Sequence, residues 1–453
     1  MRRKAPPVDV RIDRLLPGSF GAGEVEGQTY AVRGAPPGSV VHAAPFHRED
    51  GVWQSRRLAL VEPPPDAVTP RCALFGLCGG CALQELSLEA QRQAKLEMVR
   101  RIVGPVPTDH GVFGAPQAYG YRNKAELAFG PLRYRRAEEH ALGPEEPGRY
   151  LGFHAAGNFA KVVDCARCEL LPEGLNAVIE AARAWLARSP RPVWDTKRHT
   201  GFWKHLVVRE SSIGERLVAL YTAEDPSAED ELRAFAQTLP GVRGVCWFVN
   251  PRVADAAIGE LRLVLRGEPF IEERLGERRY RLSPTSFFQT HTAGARVLYD
   301  RIGEAAGRGP RLFDLYCGAG SIGLYLADRF EQVLGIELNA AAVEDARVNA
   351  ELSGLAHRVR FVAGTVEANL PELGAGDVVV VDPPRNGLHP KASAWLAEQA
   401  AETLVYVACW PASLARDRII LEAGGWRLTD LWTVDLFPQT GHVEAVARFT
   451  RDR

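Results

Sequence analysis

Three stretches of contrasting pattern predict an α/β chain built from three units. From about residue 311, short apolar runs alternate with helical stretches, the pattern of a parallel sheet with helices on both faces. Residues 8–60 carry several short strands between Gly- and Pro-rich turns with no helical period, which predicts a small five-strand β-barrel. Between the two, strand and helix patterns mix, so the middle unit is expected to be α+β. The expected boundaries are 1–62, 66–280 and 281–453.

The first unit reads as VDVRIDRL, GEVEGQTYAVRG, GSVVHAAPF and WQSRRLALVE, with turns supplied by Gly18, Gly27, Gly34, Pro36 and Gly38. Glu62-Pro63-Pro64-Pro65-Asp66 follows as a stiff, extended linker. Residues 86–103 then set Leu88, Leu96, Val99 and Ile102 on one helical face. In the middle unit AELAFG, LGFHAAG and AKVVDC predict strands and LNAVIEAARAWLAR a helix. HLVVRE and RLVALYTAE predict a hairpin joined by SSIG, and the acidic stretch 138–149 an exposed excursion. The last unit runs RLFDLY, QVLGIEL, RVRFVAG, DVVVVDPP and TLVYVACW as parallel strands. WRLTDLWTVDLF and HVEAVARFT then form an antiparallel finish around PQTG.

Composition narrows the class. The chain is 46% hydrophobic and 25% charged, and no apolar run nears the roughly 18 residues of a membrane helix. MRRKAPP leads into no hydrophobic segment, so a cytoplasmic, membrane-free protein is expected. With 55 basic and 56 acidic side chains, diffuse attraction to nucleic acid is excluded, although residues 1–60 carry nine basic against six acidic groups. Arg outnumbers Lys 48 to 7, so a single Arg is weak evidence for phosphate recognition. Eight cysteines without a signal peptide favour metal binding or catalysis over disulfides.

Four constellations could carry chemistry. FDLYCGAGSIGLYLA sets Gly318, Gly320 and Gly323 between a strand and a helix, where the backbone can approach a ligand. Glu337 ends the next strand, placed to accept bonds from ribose hydroxyls, and Asp382-Pro383-Pro384-Arg385 ends a fourth. Cys409 ends another strand as a possible soft nucleophile. Glu444 interrupts an apolar run as a possible proton acceptor. Cys72, Cys78 and Cys81, flanking Gly79 and Gly80, with the later pair Cys165 and Cys168, suit a metal centre; spacing alone leaves zinc and iron–sulfur both open. Lastly, residues 119–136 interleave five basic groups with four aromatics, and Lys197–His205 repeats that mixture, as stacking on RNA would require.

In order and spacing these motifs resemble the iron–sulfur RNA uracil-5-methyltransferases that act on bacterial 23S rRNA, over nearly the whole chain. The resemblance implies a C-terminal Rossmann-like class I methyltransferase domain, an N-terminal TRAM or OB-like barrel that binds RNA, and a central domain with further RNA-binding surface. It implies S-adenosyl-L-methionine as cofactor, contacted by Gln289, Tyr316, Gly318, Gly320, Ser321, Glu337, Thr365 and Asp382. PTSFFQTH also sets Phe287 near the active site and puts His291 where the family has Asn. VVDCARCELL places the fourth ligand of a [4Fe-4S] cluster at Cys168, beside Cys72, Cys78 and Cys81, leaving Cys165 as an extra thiol. YVACWPASLARD makes Cys409 the catalytic thiol, with Trp410 in place of Asn or Asp, and GHVEAV makes Glu444 the base.

The implied activity is C5-methylation of a flipped uridine in 23S rRNA by a monomer that acts neither on DNA nor at a membrane. A tRNA substrate, an iron–sulfur nicotinamide oxidoreductase and an inactive RNA-binding protein are the competing readings. The oxidoreductase leaves Asp382-Pro383-Pro384 and the Cys409/Glu444 pair without a purpose. Intact Cys409, Glu444 and Gln289 oppose the inactive protein.

Overall fold

The computed structural model describes residues 6–135, 139, 143, 146–155, 157–253 and 256–451. Its first sheet has six strands, in the order Val8–Arg11, Val40–Glu49, Val52–Glu62, Gln28–Arg33, Phe20–Val25, Arg14–Leu16. The strand beyond the expected five is Arg14–Leu16, whose three residues are too few to display a period. The sheet curls because Ile12 N–H donates to Ser39 O (2.8 Å) and Asp13 N–H to Ala22 O (2.9 Å), around a small core of Val10, Ile12, Val32 and Val41.

The helix Leu88–Val103 starts where the Ser87 hydroxyl accepts the Ala90 N–H, an ordinary N-cap. Its buried face (Met98, Val99, Val103) shares one core with Leu428 and Leu431 of the C-terminal unit. The next strand, Thr108–Gly114, pairs in parallel with Arg427–Asp435. Residues 88–114 fall within the range 66–280 expected for the middle unit, yet they complete the C-terminal sheet. Periodicity reveals a helix but not the surface it packs on, which is why the sequence misplaces them.

The middle sheet has seven strands, ordered Asn158–Asp164, Tyr150–Ala155, Lys124–Gly130, Trp203–Glu210, Arg216–Thr222, Gly244–Val249, Glu260–Gly267. Helices Glu173–Leu186 and Glu229–Thr238 cover one face through Val178, Phe235 and Trp203. Val207, Tyr221 and Phe248 join a core with Leu298 and Tyr299 of the C-terminal unit. Half of the acidic stretch 138–149 lies outside the described residues, as does Arg136.

The C-terminal sheet runs Val359–Ala363, Phe330–Glu337, Gly309–Leu315, Val378–Val381, Thr403–Ala408, Glu444–Thr450, Arg427–Asp435, Thr108–Gly114. The first five are parallel, and Glu444–Thr450 is antiparallel to Thr403–Ala408 and to Arg427–Asp435. Among the described residues no helix is long and apolar enough to cross a membrane.

Candidate active site

The register of this sheet lines up one row of side chains. Leu315 pairs with both Ile336 and Val381, so Tyr316, Glu337 and Asp382 leave three neighbouring strands at the same level. Glu337 pairs with Ala363, which brings Thr365 to the same edge. Ala408 pairs with Ala445 in the antiparallel ladder, so one step further Cys409 comes opposite Glu444. Residues far apart in sequence thus share the carboxyl edge of the parallel strands, where open α/β sheets bind ligands.

The glycine loop is shaped for a close-lying ligand. Gly318 and Gly320 have φ of +55° and +76°, and a Cβ on Gly320 would lie 2.4 Å from the Phe361 ring. Gly318 N–H donates to one Glu337 oxygen (3.1 Å) and Asn339 N–H to the other (2.8 Å), which fixes that carboxylate. Ser321 is held through its hydroxyl by the buried Tyr299 phenol (2.7 Å). Thr365 is exposed and accepts the Ala368 N–H through its hydroxyl (3.2 Å). Gln289 is buried, and its carbonyl accepts from the Asn123 side chain (3.0 Å). Phe287 is 63% exposed, and a Cβ on Gly318 would lie 3.9 Å from its ring, so it overhangs the loop.

Two carboxyls below this loop are perturbed. Burial raises Asp382 to about 7. Burial raises Asp314 to about 7 as well, although its Oδ2 accepts the Gly323 N–H (2.9 Å); among the described residues its Oδ1 has no hydrogen-bond partner. Asp314 and Tyr299 escape a reading of the sequence, because an acid inside the strand Gly309–Leu315 and a Tyr within a helix look like ordinary core positions. The cradle and its fixed carboxylate fit the ribose and adenine end of S-adenosylmethionine.

At the far end of the row, the Cys409 thiol is pushed up to about 11, chiefly by burial and then by Glu444 and Asp382. Arg385 acts in the opposite sense on Cys409 and on Glu444. Glu444 is buried, and burial followed by Asp382 holds its carboxyl well above the usual range. Trp410 lies beneath the Arg385 guanidinium at 5.9 Å, and a Cβ on Gly18 of the N-terminal sheet would be 3.8 Å from its indole. Trp410 therefore closes the gap between that sheet and the strand that leads into Cys409. His291 donates to Leu436 O through Nδ1–H (2.8 Å) and leans on Tyr121 (4.4 Å).

Cys72, Cys78, Cys81, Cys165 and Cys168 all line one cavity of about 520 Å³. The Cys72–Cys81 segment docks there because Cys78 bridges to Ala155, on the strand neighbouring the one that leads into Cys165 and Cys168. Burial and the neighbouring thiols push Cys78 up to about 11 and Cys81 to about 12. Gly80 N–H points at the Cys78 sulfur (3.4 Å), while the Cys165 thiol donates to Arg167 O (3.3 Å). Among the described residues no group of three or more Cys, His, Asp or Glu is placed to hold a single metal ion. Five thiols gathered around one cavity bring together the soft donors that a metal centre takes.

Both basic-aromatic stretches are less exposed than their composition suggested. Tyr121, Phe129 and Arg135 are buried, as are Phe202, Trp203, Lys204 and His205. In the strand Trp203–Glu210 aromatic and charged side chains are buried alike, and Lys204 donates to Asn250 O (2.8 Å). Lys197, Arg198 and His199 do remain exposed.

Comparison with known proteins agrees with this geometry. Residues 262–451 match the family model described as tRNA (Uracil-5-)-methyltransferase. An RNA methyltransferase of Chlorobaculum tepidum is 36% identical over 92% of this chain and 90% of its own. The tRNA (uracil(54)-C(5))-methyltransferase of Pyrococcus horikoshii is 33% identical over 91% of this chain and 93% of its own. The crystal structure of the Pyrococcus abyssi tRNA (uracil-54, C5)-methyltransferase with S-adenosyl-L-homocysteine superposes with a TM-score of 0.77. It shares 28% identity over 97% of this chain and 99% of that one.

Proposed function

Because the chain belongs to the RNA (uracil-5-)-methyltransferase family, we propose that it methylates C5 of a uridine through a covalent bond from Cys409 to C6. The observation that carries this reading is the opposition of Cys409 and Glu444 on neighbouring strands, at the edge that holds the glycine loop. C5 of uracil is a poor nucleophile. Addition of the Cys409 thiolate to C6 makes an enolate with negative charge at C5, which splits one difficult substitution into easier steps. S-adenosylmethionine, when bound, supplies the methyl group on an electron-poor sulfur. Tyr316, Gly318, Gly320, Ser321, Glu337, Thr365, Asp382 and Gln289 are assigned to hold it. Glu444 then removes the C5 proton, and β-elimination returns the Cys409 thiolate and 5-methyluridine. The target base must leave its stack to reach both groups, at a cost of a few kcal/mol.

We assign the substrate as 23S rRNA, recognised in part by a TRAM-like N-terminal sheet, and the working form as a cytoplasmic monomer. A tRNA substrate is the second reading, favoured by the nearly full-length match to a protein named for uridine 54 of tRNA. Labelled-methyl cofactor, offered with 23S rRNA or with tRNA from a strain lacking the modification, separates them. Label in neither RNA would remove the function itself.

We also assign Cys72, Cys78, Cys81 and Cys168 to a [4Fe-4S] cluster. Anaerobically purified protein is then expected to carry four iron and four sulfide. Cys168→Ala should lose that iron and Cys165→Ala should keep it; the reverse outcome would exchange the two thiols. Trp410 is expected to serve the RNA, because its ring and Arg385 offer a stacking platform beside the nucleophile. Removing one stacked base costs about 1–3 kcal/mol, so Trp410→Ala should raise the KM for RNA roughly tenfold or more with kcat little changed. An unaltered KM would confine Trp410 to packing.

A further inference from the structure

In the loop that leads into Glu444, residues 436–439 are held by four separate parts of the chain. Its consecutive carbonyls each have a partner from elsewhere: Leu436 O meets His291 Nδ1 (2.8 Å), and Phe437 O accepts from Lys95 (3.0 Å). Pro438 O accepts from the Tyr121 hydroxyl (2.8 Å), and Gln439 O from both the Ala82 and Leu83 amides (2.9 and 3.0 Å). Gln91 grips the loop twice, accepting the Gln439 N–H at 2.7 Å and donating to the Gln439 side chain at 3.0 Å. Lys95 also pairs with Asp435, and both of these side chains are fully buried.

Gln439 sits at φ +71°, a conformation that a non-glycine residue holds only when its surroundings impose it. Gln91 and Gln439 are themselves buried, so they act on RNA only through the loop. Ala82 directly follows Cys81, and Gln91 and Lys95 belong to the next helix.

We propose that the segment bearing Cys72, Cys78 and Cys81, together with the helix after it, is the strut that aligns Glu444, with Gln91 as its principal positioning residue. Gln91 touches neither nucleophile nor uracil; it fixes the backbone at Gln439, and through it the entry to the strand that begins at Glu444. The strut therefore governs the proton-removal step and leaves formation of the Cys409 bond alone. It gives the thiol-bearing segment a mechanical role in catalysis, and it rests on the covalent route proposed above.

The experiment separates adduct formation from adduct breakdown in the full-length protein, with RNA of the substrate class that the labelling assay identifies. Gln91→Leu is expected to form the denaturant-stable RNA adduct at close to the wild-type rate and to resolve it roughly tenfold more slowly. Gln439→Gly adopts the positive φ without strain, so it should fold even if Gln91→Leu does not; it loses the side-chain bond from Gln91 and loosens the backbone there, so it should show the same imbalance. A fold-wide loss of active protein would lower both rates together, and that result in both variants would overturn the proposal. If Glu444→Gln accumulates adduct while Gln91→Leu and Gln439→Gly behave as wild type, the strut is wrong and the covalent route stands. If no variant forms adduct, the covalent route itself fails.

Discussion

Cys409→Ala is expected to abolish methyl transfer, with a loss of about four orders of magnitude or more, as removal of a covalent nucleophile does elsewhere. The variant should still bind S-adenosyl-L-homocysteine with unchanged affinity, because the glycine loop and Glu337 lie on other strands. Transfer at even a tenth of the wild-type rate would remove the nucleophile assignment. The resting thiol lies up at about 11, through burial and the two carboxyls beside it. At neutral pH it is therefore protonated, and iodoacetamide should label Cys409 faster and faster as the pH rises towards that value. The sign is set by which form each neighbour favours: a carboxylate opposes the thiolate and a guanidinium supports it. Glu444→Gln should accordingly move the labelling profile to lower pH and Arg385→Ala to higher pH. Opposite movements would show that these groups do not face the thiol. A positively charged methyl donor placed beside Asp382 would push in the same direction as Arg385, so the cofactor should speed labelling at pH 7.

Much of this site was legible because its parts sit at strand ends, where the sequence is most informative. Alternation of apolar runs located the carboxyl ends of the strands: Glu337 ends one, Asp382 and Cys409 each stand directly beyond one, and Gly318 follows another by three residues. The register then supplied what no local pattern could, the opposition of Cys409 to Glu444 across a ladder that joins residues 403–408 to 445–450. Partners bound through backbone carbonyls left the weakest trace. Gln91, Lys95 and Tyr121 each grip residues 437–439 at a main-chain atom common to every amino acid, so their side chains read as ordinary helix and loop residues. The misplaced stretch 88–114 has the same cause: an amphipathic face announces burial but does not name its partner. The aromatic residues at Tyr121 and Phe129 misled in the other direction, since a mixture of charge and aromatic rings looks alike on a surface and across a half-buried strand.

Glu444→Gln is expected to halt the reaction after methyl transfer, leaving RNA bonded to Cys409 in a form that survives denaturation in SDS. Glutamine keeps the volume of the side chain, so the uracil should still enter and the thiol still add; what is lost is the group that takes the C5 proton. Turnover should fall by about 10²–10⁴-fold, the usual contribution of a positioned base, while a single methyl group per chain is still transferred. The raised carboxyl gives the wild-type base its character: burial and the nearby Asp382 hold Glu444 well above the usual carboxylate range and make it a stronger base than an exposed carboxylate. The deprotonated form is the active one, so the rate of adduct breakdown in the wild type should climb with pH through the Glu444 titration and then level off. Asp382→Asn removes a charge that raises Glu444 and should shift that climb to lower pH. A double substitution, Cys409→Ala with Glu444→Gln, must show no bonded RNA at all. If the SDS-stable species persisted in the double variant, some other residue would carry the bond. If Glu444→Gln turned over normally, the base would have to be sought among the other carboxyls of the row, with Asp382 the first to test.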